Sequence, residues 1–389
     1  MKVSLVVSDL SSSGVGRWGG AVRPFLLSQA LKKLQVEVEI VGFISGEEQQ
    51  LATDRENSII AIDSHNYYPK FLLSAKQLLD KITGDIIYAY KLKPTSLGLS
   101  LVRKMQTHRP VFLDIDDWEL SWYGGDNWKY HPNIKQLARD ILKPEGALRQ
   151  PDHPFYLKWI ESFVSKADRV TLHNQFLKKR FGGTYLPNGK DTTLFDPTKY
   201  DPEVSRTRYG LNNYKILMFP GAPRPYKGVE DVLIALDNIN QPDLRLVIVG
   251  GSPYDDYDRQ LMEKWGHWII KMPKYPPTVM PEIVAAAHII VVPQRDTPEA
   301  QAQFPLKLTD GMAMAKPVIA TKVGDIPEIV SDTGYLVDPS SPEQIAEQIE
   351  LIFNDLATAN IKGMKARKRC IKYYSIDAMA AILSELIKI

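Results

Sequence analysis

The sequence FPLKLTDGMAMAKPVIATKVGDIPEIV, residues 304–330, indicates how the whole chain folds. Pro305 is typical of a first helical turn, so this stretch predicts a helix that carries Lys307 and Asp310. Gly311 would let the helix lie close to a sheet, and the apolar run KPVIAT predicts a buried parallel strand. Open α/β sheets bind ligands beyond the carboxyl ends of their strands. We therefore expect an anionic ligand held by Lys307 and the helix N-terminus, with Asp310 facing a ribose.

The composition limits the classes of protein to which the chain can belong. Its 389 residues are enough for two domains, each with its own core. The net charge of +2 argues against a dedicated nucleic-acid-binding protein, which would be strongly basic. One cysteine, Cys370, excludes an internal disulfide, and no stretch approaches the roughly 20 apolar residues of a spanning helix. The chain begins with a predicted strand and not a signal peptide, so we expect a cytoplasmic protein.

The stretch quoted above resembles the donor site of a known enzyme family. The pattern PxKxx(E/D)xMAxxKPVIAT, followed by GxIPEIV, is similar to that of glycosyltransferases with the GT-B fold, and within them to the large retaining group called family 4. The resemblance implies an α/β fold of two Rossmann-like domains that face each other across a donor and acceptor cleft. It also implies that Lys307 lies near the nucleotide phosphates and that Asp310, where the family usually has Glu, binds the ribose.

A glycine-rich loop follows the first predicted strand. Residues 2–9 and 36–43 predict strands and residues 21–34 a helix, with SSSGVGRWGG between the first strand and the helix. The resemblance implies that the backbone of Gly19 and Gly20 approaches the donor phosphates or the acceptor. The alternative is a flexible turn that needs glycine only for its dihedral angles.

Carboxylates follow the predicted strand 110–115. Asp116 stands where many family members have a histidine that faces the transferred sugar, and Asp117 is next to it. These carboxylates could act as an acceptor base or bind sugar hydroxyls, could be solvated or capping groups, or could bind a divalent cation. His173 is a further candidate for catalysis, although a single histidine is more often structural. We place Asp116, Asp117 and His173 together as catalytic candidates.

A second basic loop is predicted after the strand 214–220. The family pattern there is GRxxxxKG, which Gly221, Lys227 and Gly228 match, whereas Ala222 occupies the usual arginine position. Arg224 is the natural substitute, because an arginine and a lysine can bind a diphosphate together. The alternative is a surface turn with two solvated cations. Gly251 ends another predicted strand, 244–250, and is also placed at the donor.

The donor-sugar contact departs from the family pattern. Many members have a Glu eight residues before the ribose acid, but that position is Ala302 here. The residues that could replace it are Glu299, Asp296, Gln301 and Gln303. We place Glu299 and Phe304 among the donor-binding residues.

The resemblance also predicts how the chain is divided. LPNGKDTTLFDP, residues 186–197, matches the family's PNGVDxxxFxP at the exit of the first domain. We therefore predict an acceptor-side domain of residues 1–198, joined by a C-terminal helix of about 374–389, and a donor domain of residues 199–373.

These features predict a retaining glycosyltransferase. It would move a sugar from a nucleotide-sugar, with UDP-sugars favoured and GDP-sugars next, to a glycan, lipid-linked or small-molecule acceptor. Arg224, Lys227 and Lys307 would neutralise the diphosphate leaving group, so no metal and no cofactor besides the nucleotide-sugar is expected. The alternatives are a sugar-nucleotide epimerase or phosphorylase, or a catalytically silent nucleotide-sugar-binding protein.

Peripheral membrane contact is a further option at the sequence level. The basic residues considered for it are Lys91, Lys93, Arg103, Lys104, His108 and Arg109. They could meet anionic lipid head groups, or they could belong to a solvated helix of mixed charge.

Overall fold

The apolar runs form parallel strands in two separate sheets. The computed structural model describes residues 1–10, 23–44, 58–251 and 255–388. The chain divides into two units, Met1–Pro187 with Met379–Ile389, and Asn188–Ala378. The second unit thus includes residues 188–198, which we had assigned to the first domain. Gly19 and Gly20 lie outside the described residues.

The first unit is built on a seven-stranded parallel sheet with the order β3-β2-β1-β4-β5-β6-β7. Its strands are β1 Lys2–Val7, β2 Glu37–Ile44, β3 Ser58–Asp63, β4 Ile86–Tyr90, β5 Val111–Ile115, β6 Arg169–Leu172 and β7 Thr184–Tyr185. The central strands are mostly apolar and almost entirely buried, as expected for a sheet that helices cover on both faces. The polar side chains of Ser4, Glu39 and Asp114 on these strands are buried as well. The strand order reverses between β1 and β4, and the carboxyl ends of these strands are where such sheets bind ligands.

The second unit repeats this plan with six strands in the order β10-β9-β8-β11-β12-β13. The strands are β8 Lys215–Pro220, β9 Leu244–Val249, β10 Ile269–Met272, β11 Ile289–Val292, β12 Val318–Thr321 and β13 Tyr335–Val337. All of the neighbouring strands are parallel. The order reverses between β8 and β11, so the loops after these two strands are the expected ligand-binding region.

The helices lie between successive strands, except for the last three, which follow β13. They are α1 Arg23–Lys33, α2 Phe71–Lys81, α3 Leu99–Thr107, α4 Ile134–Leu142, α5 Pro154–Ile160, α6 Gln175–Phe181, α7 Pro202–Arg208 and α8 Val229–Ile239, then α9 Tyr257–Trp265, α10 Met280–Ala285, α11 Pro298–Gln301, α12 Leu306–Ala313, α13 Ile326–Val330, α14 Pro342–Asn354, α15 Leu356–Tyr374 and α16 Ile376–Leu386. Helix α12 lies close to the sheet, because a Cβ atom on Gly311 would come within 2.9 Å of the Ile290 side chain. The predicted need for a small residue at this position is confirmed.

Candidate functional site

Lys307 occupies the first turn of α12 and faces the loop that follows β8. Its side chain is buried, with Nζ 4.7 Å from the centre of the Phe219 ring. At the end of β8, Gly221 has a φ of 144°, and a Cβ atom there would lie 3.8 Å from Cε of Lys307. Burial lowers the pKa of Lys307 to about 8, although the charge of Asp310 opposes this effect. A lysine that has lost its hydration in this way gains from an anionic partner.

Lys227 brings a second cation to the same loop. Its Nζ donates a hydrogen bond of 2.9 Å to the carbonyl oxygen of Ala222. Burial, together with the positive charges of Lys307 and Arg224, holds the pKa of Lys227 well below its usual value. Arg224 in turn lies 3.1 Å from the carboxylate of Asp255. The structure therefore brings together the three cations named from the sequence, and their mutual repulsion favours a multiply charged anion.

Gly228 fixes the position of this loop. It has a φ of 65°, and a Cβ atom would lie 1.9 Å from the carbonyl oxygen of Pro293, which follows β11. Only glycine allows this approach, because the left-handed conformation and the contact both exclude a side chain. The loop after β8 is thereby held against the loop after β11, at the reversal of the strand order.

Asp310, the predicted ribose ligand, forms an ion pair with Lys190. Both side chains are largely buried, and Nζ of Lys190 lies 4.1 Å from the centre of the Phe195 ring. The backbone of Lys190 is fixed as well, since its N–H donates to the carbonyl oxygen of Tyr374 at 2.6 Å. Lys190 is not among the site residues predicted from the sequence. The available signal was the lysine of PNGKD, where the family pattern has valine.

The candidates for the donor-sugar contact lie on and around α11. Ala302 is fully buried, so the usual acid position is packed into the core. Glu299 lies in the first turn of this short helix, which the Thr297 hydroxyl caps by accepting a hydrogen bond from the N–H of Ala300 at 3.3 Å. Phe304 is buried, with its ring centre 6.2 Å from that of Tyr374.

The other three candidates for that contact are tied to neighbours. Nε2 of Gln301 donates to the carboxylate of Asp296 at 2.6 Å. Nε2 of Gln303 bonds with the hydroxyl of Tyr226 at 3.1 Å. Because the other three side chains make these bonds, we retain Glu299 as the candidate for the contact with the donor sugar.

Gly251 lies beyond the end of β9, against an ion pair. A Cβ atom at this position would come within 2.5 Å of the Asp258 carboxylate and 3.2 Å of Nζ of Lys271. Asp258 and Lys271 form the ion pair. The glycine is thus required by packing within the second unit, and its contact with a donor remains a prediction.

Asp116 and Asp117 follow β5 in the first unit and belong to a cluster of charged residues. Asp116 accepts a hydrogen bond from the hydroxyl of Tyr90 and lies 3.6 Å from Nζ of Lys91. Lys91 also contacts Glu119 at 3.0 Å, and Lys93 contacts Glu119 at 3.2 Å. Neither the lipid-facing nor the solvated interpretation of these two lysines is correct, because Lys91 is buried and both are ion-paired.

Asp117 and Glu119 in this cluster have very different pKa values. Burial and the neighbouring Glu119 and Asp116 raise the pKa of Asp117 to about 7, against the opposing charge of Lys91. Burial also disfavours ionised Glu119, but Lys91 and Lys93 outweigh it and lower its pKa to about 2. Asp117 accepts a hydrogen bond from Nε1 of Trp122 at 2.9 Å. Its other oxygen is buried and has no hydrogen-bond partner in the described part of the chain.

His173 follows β6 and is buried. Burial, the charge of Arg23 and that of Lys91 hold its pKa well below the usual value, so it is neutral, and it is hydrogen-bonded to the backbone of Ile115. Arg23 itself forms a buried pair with Asp114, with Nε 2.5 Å from Oδ1 and Nη2 2.7 Å from Oδ2. This pair could not be predicted from the sequence, because no local pattern joins residues 91 positions apart.

The described residues contain no group of three or more His, Cys, Asp or Glu side chains that could hold a metal ion. None of the helices in the described ranges is long and apolar enough to cross a membrane.

Comparison with known proteins identifies the second unit. A family model described as Glycosyl transferases group 1 matches residues 214–355, which include the loop of Lys227 and the helix of Lys307. Residues 214–355 are therefore similar to this family. The resemblance that the donor motif indicated is confirmed.

The curated relatives match only part of the chain. A GDP-mannose-dependent alpha-(1-6)-phosphatidylinositol monomannoside mannosyltransferase of Mycolicibacterium smegmatis is 27% identical over 240 residues, which are 57% of this chain and 62% of that protein. An alpha-maltose-1-phosphate synthase of the same organism is 31% identical over 248 residues, with 56% and 62% covered. The match thus spans less than two thirds of the length of these relatives.

Solved structures match over the whole chain. Anabaena HepE, in complex with UDP and glucose, has a TM-score of 0.73 at 16% identity, with 100% of this chain and 99% of that chain covered. Sucrose-phosphate synthase from Thermosynechococcus elongatus has a TM-score of 0.72 at 19% identity, with 99% and 98% covered. At these identities the similarity shows the fold, and the predicted α/β GT-B fold with two Rossmann-like domains is confirmed.

Proposed function

We propose that the protein is a retaining, metal-independent glycosyltransferase that uses a nucleotide-sugar donor. The observation that carries the proposal is the convergence of Lys227, Lys307 and Arg224 at the reversal of the strand order in the second unit. A departing nucleoside diphosphate develops negative charge, and cations fixed in place before the reaction stabilise that charge. They would take the part that a divalent metal takes in other sites.

The second unit also supplies residues for the rest of the donor. Asp310, held by Lys190, would accept hydrogen bonds from the ribose hydroxyls. Glu299 would bind hydroxyls of the transferred sugar in place of the acid that Ala302 lacks. UDP-sugars are the favoured donors and GDP-sugars the next. A structure with the same fold binds UDP and glucose, and a partial relative is GDP-mannose-dependent.

The first unit would supply the groups for the acceptor. Asp117 is the side chain most suited to exchange a proton with a hydroxyl, because its pKa is raised to about 7. Asp116 and neutral His173 would bind hydroxyl groups beside it. The acceptor would be a glycan, a lipid-linked sugar or a small molecule. One relative acts, by its name, on phosphatidylinositol monomannoside, and another is a D-inositol 3-phosphate glycosyltransferase.

Release of nucleoside diphosphate from sugar conjugates of UDP, GDP and ADP tests the proposal. We expect release from one conjugate, slow with water and faster with an acceptor, and a loss of about a hundredfold in Lys227→Met and Lys307→Met. Lys322→Met is the matched control, since Lys322 is an exposed lysine of the same unit that pairs with Asp338. Binding without release would indicate the silent protein, and isomerisation of the conjugate without release would indicate an epimerase.

A further inference from the structure

Helix α4 presents an apolar face on the outside of the first unit. Ile134 is 90% exposed and Leu142 is 75% exposed, and Leu137 and Ile141 are exposed as well. Ile134, Leu137 and Ile141 are three and four residues apart, so they lie on one side of the helix, with Leu142 beside them. A water-facing stripe of this kind on a folded helix indicates a binding surface.

Contacts with neighbouring residues hold α4 in place. The side chain of Asn133 caps its first turn by accepting a hydrogen bond of 2.8 Å from the N–H of Gln136. Asp140 is the buried residue of the helix, and it accepts a hydrogen bond of 2.8 Å from the hydroxyl of Tyr130. Gly146 lets the chain turn back under the helix, because a Cβ atom there would lie 2.2 Å from the carbonyl oxygen of Asp140. The helix is therefore attached by one side, and its apolar side faces away from the unit.

Basic residues surround the apolar face. Residues 129–149 contain Lys129, Lys135, Arg139, Lys143 and Arg149, against Asp140 and Glu145. The charge of Asp140 is compensated by Arg139, whose Nε lies 3.3 Å from its carboxylate. We propose that α4 is a docking helix that lies in the surface of a membrane containing anionic lipid, with its apolar side chains inserted and its lysines at the head groups. A second copy of the chain would bring like charges together and fits the surface less well.

The same unit also has a separate apolar groove. It has a volume of about 800 Å³ and is lined mainly by apolar side chains, Met105 and Trp159 among them. Arg149 connects the groove to α4, since its Nε donates to the carbonyl oxygen of Tyr68 at the groove and its Nη1 to that of Lys143 at the end of the helix. Acyl chains of the bound membrane would have access to this groove.

Cosedimentation of the full chain with vesicles tests the docking surface. The vesicles consist of phosphatidylcholine alone or of phosphatidylcholine with phosphatidylglycerol, and we expect binding to the second kind. The double variant Ile134→Ser, Leu142→Ser should lose at least about tenfold in vesicle affinity. The control is Leu72→Ser, Leu73→Ser, because these leucines of α2 are 58% and 62% exposed but lie on another helix of the unit.

A second pair of variants tests the charges. Lys135→Gln, Lys143→Gln should weaken binding by about fivefold for each lysine, with a weaker dependence on salt. Lys76→Gln, Lys81→Gln on α2 is the matched control and should bind as the unchanged protein does. Circular dichroism confirms that each variant is folded. The proposal is overturned if the unchanged protein does not bind the anionic vesicles, if both helices contribute equally, or if α4 instead mediates a dimer that the Ile134→Ser, Leu142→Ser variant dissociates in light scattering.

Discussion

At the scale of single residues, Lys190 changes the expected donor site most. It neutralises Asp310 in the free protein and fixes a carboxylate that is one methylene shorter than the usual Glu. We expect Lys190→Met to weaken nucleotide binding by about tenfold, because Asp310 is then no longer positioned for the ribose. Calorimetric titration with the nucleoside diphosphate measures this loss.

The control for the Lys190→Met variant is a double variant that has the family's usual residues at positions 190 and 310. The double variant Lys190→Val, Asp310→Glu should bind nucleotide better than Lys190→Met, since the longer acid reaches the ribose without a lysine beside it. Equal affinity of Lys190→Met and the unchanged protein would show that the ion pair has only a structural role.

Lys307 makes nucleotide binding depend on pH. Its pKa is about 8 in the folded protein, below the ordinary 10.5, so its burial costs stability at neutral pH and this cost shrinks as the pH rises from about 8 to 10.5. A bound diphosphate favours the cation and raises that pKa. We therefore expect binding to take up a proton near pH 8 and to weaken above it. Titrations in buffers of different ionisation enthalpy detect the proton, and Lys307→Met should take up less than the unchanged protein, because only Lys227, whose pKa is also lowered, then remains to be protonated.

At the scale of elements, the loop between β8 and α8 depends on Gly228. We expect Gly228→Ala to cost about 3 kcal/mol of unfolding free energy, since the added Cβ atom would overlap the carbonyl oxygen of Pro293. Gly210→Ala is the control, because Gly210 also has a positive φ, 69°, but has no atom within 4 Å of the added Cβ. It should cost about 1 kcal/mol, the strain of the backbone conformation alone. Urea denaturation compares the two, and equal losses would show that the contact with Pro293 is unimportant.

The buried strands could be predicted from the sequence because they are continuous apolar runs. The runs predicted at residues 244–250 and 110–115 are strands at Leu244–Val249 and Val111–Ile115. The edge strand Ser58–Asp63 was not predicted; its apolar run of residues 59–62 is short and only partly buried.

The site residues that could be predicted from the sequence are those that belong to a local motif. Lys227, Arg224 and Lys307 belong to two local patterns, and the fold brings the patterns together. The pairs Lys190–Asp310 and Arg23–Asp114, and the ion pairs of Lys91, join residues distant in the sequence. Pairing of this kind depends on the strand order, which single-sequence patterns do not contain.

At the scale of the whole molecule, the two units have the same plan but different charge arrangements. The second unit gathers cations at its strand reversal, with its acids held in ion pairs at the edges. The first unit places Asp116, Asp117 and Glu119 around the buried Lys91 and the partly buried Lys93. Such a division of charge fits a donor site for an anion in one unit and a proton-exchanging site for hydroxyls in the other.

We propose that the second unit binds a nucleoside diphosphate through its buried lysines. Calorimetric titration of the full chain with UDP, GDP and ADP, on the unchanged protein, Lys307→Met and Lys322→Met, tests it most directly. We predict that one nucleotide binds, that Lys307→Met weakens it by at least about tenfold, and that Lys322→Met leaves it unchanged. Absence of binding by all three nucleotides, or binding that Lys307→Met does not weaken, would contradict the account.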